Sequence, residues 1–185
     1  MDGDPLFDSA NAALAFAYNF EGRPETSSMV PASDDRSKLP SKGLGGLDGS
    51  AQAGMIKAEV NALDRFYGFI LAAKFAQHHK PCACKAPCCS GFTANWEWRE
   101  AIGLISMAPI IVTATFNCMS NNRLRRGIVE RYFKEPVKLK ELAIHAGVNA
   151  DTASLHNERI VKILRESERK AMDAIRERLH AAGMV

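Results

Sequence analysis

The stretch VKLKELAIHAGVNADTASLHNERIVKIL, residues 137–164, decides the reading of the fold. Leu139, Leu142 and Ala143 recur at helical spacing, and Gly147 offers a residue that tolerates positive φ where that helix must stop. Val148 puts one apolar side chain into the turn, and Asn149 or Asp151 can cap a second helix, Asp151 also complementing its dipole. The small side chain of Ala143 lets the two helices cross closely. A short helix, a three-residue turn and a longer helix make up the grammar of a helix-turn-helix, in which the second helix is the DNA reader. An ordinary helical hairpin inside a core shares much of this pattern; the offsets of Ala143, Gly147 and Val148 favour the DNA-binding form.

Just upstream, RLRRGIVERYFK (residues 123–134) reads as a helix with Leu124, Ile128 and Tyr132 on one side. Packed against the next two helices, it predicts a trihelical unit. Downstream, Ile160, Ile163, Leu164, Met172, Ile175 and Leu179 continue at helical spacing nearly to residue 185, so the final helix is unusually long. That extension is expected to pack on the core or on another copy, which makes a homodimer a possible partner state.

Charge is unevenly placed. Residues 1–50 carry 8 acidic and 4 basic residues, whereas residues 121–185 carry 14 basic and 9 acidic ones. The positive excess thus falls where the helix-turn-helix lies, as a polyanionic partner would require. Residues 1–50 are expected to be a flexible acidic leader, because their Pro, Gly, Ser and Asp content buries too little apolar surface to offset ordering. The acidic start does not resemble a secretory signal, and a cytoplasmic protein is expected.

Between leader and C-terminal unit, residues 51–120 read as a helical core. A helix is expected over residues 51–77, with Ile56, Val60, Leu63, Phe66, Tyr67, Ile70 and Leu71 in its apolar stripe. Residues 101–120, AIGLISMAPIIVTATFNCMS, lack any charge, but Pro109 and the interspersed Ser, Thr and Asn residues argue against a membrane span. Two buried segments meeting at Pro109 are predicted instead, with Trp96, Trp98, Ile102 and Ile105 facing inward. The fold class is therefore all-α: a multi-helix domain with a Cys-rich loop and a C-terminal helix-turn-helix.

That loop, HHKPCACKAPCCSG (residues 78–91), holds Cys82, Cys84, Cys88 and Cys89. In a reducing compartment such clustering points to zinc before a disulfide. The C-x-C and C-C pairs are too close for all four to ligate one ion with ease, so His78, His79 or Cys118 are candidate substitutes. No H-E-x-x-H, G-x-S-x-G or deaminase P-C-x-x-C pattern accompanies the cysteines, and no enzyme is expected.

For DNA, Thr152, Ser154 and Asn157 are candidates for base-edge contacts, Leu155 for a thymine methyl, and Arg159 for guanine or phosphate. Lys138, Lys140, Arg125 and Arg126 are the candidate phosphate contacts. The order RRGIVERYF, LKELAIHAGV, DTASLHNERIVKILR resembles the promoter-reading C-terminal region of bacterial sigma factors over residues 123–165. It departs from that pattern at Ala150, Ala153, Ser154 and His156. The layout, with cysteines upstream, is also similar to the antitermination protein Q family of lambdoid phages. The resemblance implies a phage or prophage regulator that binds double-stranded DNA near promoters, joins RNA polymerase and promotes late-gene transcription by antitermination. A conventional repressor or activator, and a zinc- or thiol-based protein-interaction module, are the alternatives.

Overall fold

A computed structural model describes residues 6–20, 46–82, 84, 90–133 and 135–185 of the chain. Its fold is mostly helical. Its spine is α8, Ala150–Ala181, a 32-residue helix of roughly 48 Å at the usual rise. Ala153, His156, Ile160 and Leu164 form its buried face in the first half, and Ala171, Met172, Ile175 and Leu179 in the second. The first half packs on α6 (Asn122–Tyr132) and α7 (Leu139–Ala146), as the trihelical reading expects. The second half is covered by this chain's own α1 (Ala10–Asn19) and α2 (Gly46–Asn61), rather than being left for another copy. An amide of Phe7 donates to the carbonyl of Met184 at 3.1 Å and ties α1 to the end of the spine.

The corner between α7 and α8 has a physical stop. Gly147 adopts φ 67° and ψ 33°, while its own amide and that of Val148 donate back to Ile144 and Ala143 at 3.1 and 3.0 Å. These two bonds satisfy carbonyls that the helix end leaves open, in the Schellman arrangement that glycine favours. Asn149 then caps α8 by accepting from the amide of Thr152 at 2.6 Å.

Several expectations require correction. Part of the expected leader is helical: Ser9 caps α1, whose Ala13, Leu14, Ala17 and Tyr18 are buried with Phe7. Small alanines let this helix lie close against α2, so modest apolar area is enough to hold it. Residues 21–45 lie outside the described residues. The helix expected over residues 51–77 is two helices, α2 and α3 (Arg65–Phe75), because Asp64 leaves the helical path and caps α3 by accepting from Phe66 at 2.9 Å. The break turns α3 onto α4 (Trp96–Met107) and α8.

Pro109 opens α5 (Pro109–Ala114) at the helix position where a missing amide proton costs nothing. Trp98, Ile102 and Ile105 of α4 are buried as expected, whereas Trp96 is 69% exposed, since Asn95 starts the helix one residue earlier and turns that first side chain outward. A two-stranded antiparallel hairpin, β1 (His79–Pro81) with β2 (Phe92–Ala94), interrupts the all-α plan. Among the described residues no helix is long and apolar enough to cross a membrane.

One buried cluster runs from Phe7 to Met184 and draws on all parts of the described chain. The boundary expected at residue 121 is therefore not a break in the core. Within it, α6 and α7 approach so closely at Gly127 that a methyl group there would overlap the buried side chain of Leu142. Replacing Gly127 with Ala should cost about 1–3 kcal/mol of stability in urea unfolding, the usual range for overpacking; an unchanged midpoint would mean that α6 and α7 do not cross there.

Candidate nucleic-acid interface

The structure sorts the expected DNA contacts into groups. At about 100° per residue, Thr152, Leu155 and Arg159 share one side of α8, at relative positions i, i+3 and i+7. Leu155 is 41% exposed, and Thr152 and Arg159 are half-buried beside it. Ser154 is exposed but lies around the helix from this ridge. Asn157 lies further round still, and its side-chain oxygen is buried with no hydrogen-bond partner among the described residues. Half-buried like Thr152 and Arg159, it stands on the side of α8 away from their ridge.

Arg125 is the clearest correction. Expected at a phosphate, it is 5% exposed. Its guanidinium donates to the carbonyls of Ser106 (3.0 Å), Cys118 (3.3 Å) and Met119. Its position on α6 faces α4, so the run of three arginines at 123, 125 and 126 is split between surface and interior. Arg126 is half-exposed and pairs with Glu130 one helical turn away at 2.8 Å. Lys138 pairs with Glu141 at 3.2 Å in an exposed setting, which contributes little stability, and Lys140 is exposed on α7.

Two residues beside the corner escaped the sequence reading. Arg123 donates to the carbonyl of His145 at 3.1 Å, placing a cation at the C-terminal end of α7 where the helix dipole favours it. Phe116, in the 3-10 turn Phe116–Cys118, is 50% exposed. The guanidinium carbon of Arg159 lies 4.7 Å from the centre of its ring. No local pattern announces this contact, because 43 positions separate the partners. Further along α8, Lys162, Arg165 and Arg169 line a shallow trough together with Glu158 and Glu166.

The Cys-rich loop sits at another place. The amide of Cys82 donates to Gly91 at 2.8 Å, and the hairpin pairs His79 with Ala94, so the two ends of the loop are held together. Cys82 is half-buried and Cys84 exposed; Cys88 and Cys89 lie outside the described residues. His78 stacks on Trp98 with ring centres 4.3 Å apart, and its Nδ1 lies 3.1 Å from a carboxylate oxygen of Glu135. Only its Nε2 is left for another ligand. Cys118 is half-buried in the turn after α5, where its carbonyl accepts from Arg125 at 3.3 Å. Among the described residues no group of three or more His, Cys, Asp or Glu side chains is placed to hold a metal ion.

No protein-family model, no curated protein and no solved structure matches the chain.

The interface also contains a titrating group. His156 is 1% exposed, and neither ring nitrogen has a hydrogen-bond partner among the described residues. Burial holds its imidazole below the usual 6.5, and the nearby Arg159 charge adds to this. Neutral in the folded chain, His156 binds its proton more readily once unfolded, so its contribution makes stability fall as pH drops below about 6.5. Urea midpoints at pH 7.5 and 5.5 should therefore differ less in His156→Leu than in the unaltered chain; equal differences would remove His156 as the source.

Proposed function

We propose that this chain is a sequence-specific DNA-binding transcription regulator that acts together with RNA polymerase and promotes transcription by antitermination. The observation that carries the DNA-binding part is the corner of α7 and α8: a glycine-stopped short helix, a three-residue turn, and a capped long helix whose Thr152–Leu155–Arg159 ridge stands at the surface while Ala153 and Ile160 anchor it below. α6 backs both helices, the arrangement in which a second helix can enter a major groove. In this reading Thr152 and Arg159 meet base edges, Leu155 meets a thymine methyl, and Ser154 stands at the rim of the contact. Lys138, Lys140 and Arg126 neutralise phosphates and set the salt dependence, with Lys162 and Arg165 extending the positive track.

The polymerase part rests on the sigma-like and Q-like layout of residues 123–165 and of the cysteines upstream. Capture of the tagged protein on host chromatin, with and without rifampicin, tests it: signal that spreads downstream of one promoter only when elongation proceeds supports travel with polymerase. A peak indifferent to elongation would make the chain a conventional repressor or activator. For the contacts themselves, Arg159→Ala should relax sequence preference at a loss of ~1–3 kcal/mol, and Lys140→Ala should weaken all sequences about equally. Uniform loss in both variants would remove the base-reading assignment.

We further propose that the loop closed by the hairpin binds zinc. Thiolate donors at Cys82 and Cys84, with Cys88 and Cys89 supplying the remainder and His79 or the Nε2 of His78 as a substitute, have the soft donor chemistry that zinc prefers. The hairpin limits the entropy that closing such a loop would otherwise cost. Elemental analysis of the purified chain should find one zinc per molecule, and Cys82→Ser with Cys88→Ser should lose it together with thermal stability; a metal-free chain of unchanged stability would end the proposal.

A further inference from the structure

We infer that Phe116 is a positioning residue for Arg159, a preformed shelf that holds the guanidinium in an extended pose for reading a guanine-bearing edge of duplex DNA. The inference rests on the DNA-reading function proposed for α8 and names a part of that interface which lies outside the helical corner.

An arginine on a helix surface samples many rotamers, and ordering it on a base opposes binding through lost side-chain entropy. A flat aromatic face reduces that loss, because the planar guanidinium stacks on it through cation–π attraction while its N–H fork remains free at the edge. Arg159 has this support in the absence of DNA, at 4.7 Å from the Phe116 ring centre.

The shelf is itself held in place. Cys118 and Met119, two and three residues after it, accept from the buried guanidinium of Arg125. Thr115, directly before it, is fully buried and its hydroxyl donates to Val112 at 2.9 Å. The amide of Cys118 closes the turn on Thr115 at 2.6 Å. Beneath, the ring of His156 meets Phe116 edge-on, with centres 6.2 Å apart. Phe116 is thus fixed through its backbone and one edge, and 50% of its surface remains exposed. A shelf needs that exposure.

The test uses the full chain. Selection from a randomised duplex library defines the motif bound by the unaltered protein, and competition binding then measures discrimination at each position for Phe116→Leu, Phe116→Tyr, Arg159→Ala and the Phe116→Leu/Arg159→Ala pair. Leucine keeps apolar bulk without the π face, and tyrosine keeps the face. Phe116→Leu should lose about three- to fivefold in discrimination, at the guanine position that Arg159→Ala also loses, with melting unchanged. Phe116→Tyr should retain the preference, and the double variant should be no worse than Arg159→Ala alone. Full discrimination in Phe116→Leu, or additive losses in the pair, would overturn the positioning role while leaving base reading by α8 intact. Failure of the unaltered chain to enrich any motif would instead overturn both.

Discussion

A buried positive charge sets the geometry on which the corner of α7 and α8 depends. The guanidinium of Arg125 is withdrawn from water and held by the carbonyls of Ser106, Cys118 and Met119. Burial lowers its pKa from the ordinary arginine value, and a guanidinium keeps its charge in proteins. Taking a cation out of water is expensive, and the arrangement is tolerable only because its N–H groups meet carbonyl oxygens at the end of α4 and in the 3-10 turn. Those carbonyls are the partial negative charges that a helix end leaves unsatisfied. One side chain of α6 thereby answers the needs of two other segments, and it can do so only with α6 in one place. The polar connection continues through neighbours. Ser106 donates to Asn122 at 3.2 Å, and Asn121 both caps α6 and donates to the carbonyl of Ala146 at 2.7 Å, at the end of α7. The corner that presents α8 is thus referenced to α4 by hydrogen bonds, whose directions are stricter than those of apolar contacts.

This also explains which parts of the fold were legible in the chain. Gly147, Val148 and Asn149 act on their immediate neighbours, so the end of α7 and the start of α8 follow from local chemistry that periodicity can detect. Pro109 is legible for the same reason. Asp64 was not, because an acidic residue on the polar side of a helix and one that caps a new helix look alike until the chain direction is known. Arg125 and Arg126 are adjacent and chemically identical, and only the position of α4 makes one a buried clamp and the other a surface ion pair. The ridge of Thr152, Leu155 and Arg159 could be read from helical spacing alone. Its companion Phe116 could not, since the two meet only after α5 has packed against α8.

The length of α8 gives the interface its mechanical setting. A helix packed along one side of a small domain ordinarily keeps a single buried stripe, whereas here the stripe shifts round the helix between Leu164 and Met172 as its partners change. Along its length the helix packs on α6, α7 and α5, on α3, and on α1 and α2. Ion pairs of Lys74 with Glu168 (2.7 Å) and Arg178 with Glu59 (2.8 Å) brace the second half from α3 and α2. These half-exposed pairs add little energy, but they oppose rotation of the helix about its axis, the motion that would carry Thr152 and Arg159 out of their place at the surface.

The Cys-rich hairpin joins the same framework through His78. Its ring lies on Trp98 while its Nδ1 meets Glu135, in the connection between α6 and α7. Trp98 in turn donates its indole N–H to the carbonyl of Ala73 at 3.1 Å, in α3. A loop that would be the least restrained part of the chain is thereby fastened at its base to three helical segments. The hairpin and the α7–α8 corner are consequently not independent: the hairpin's anchor reaches the link that leads into α7, and the turn that carries Phe116 against Arg159 reaches the far end of α4. A single rigid helix, α4, lies between them, with Trp98 near its start and Ser106 near its end, so a change in the packing of either end must be accommodated by the other or by a break in the core.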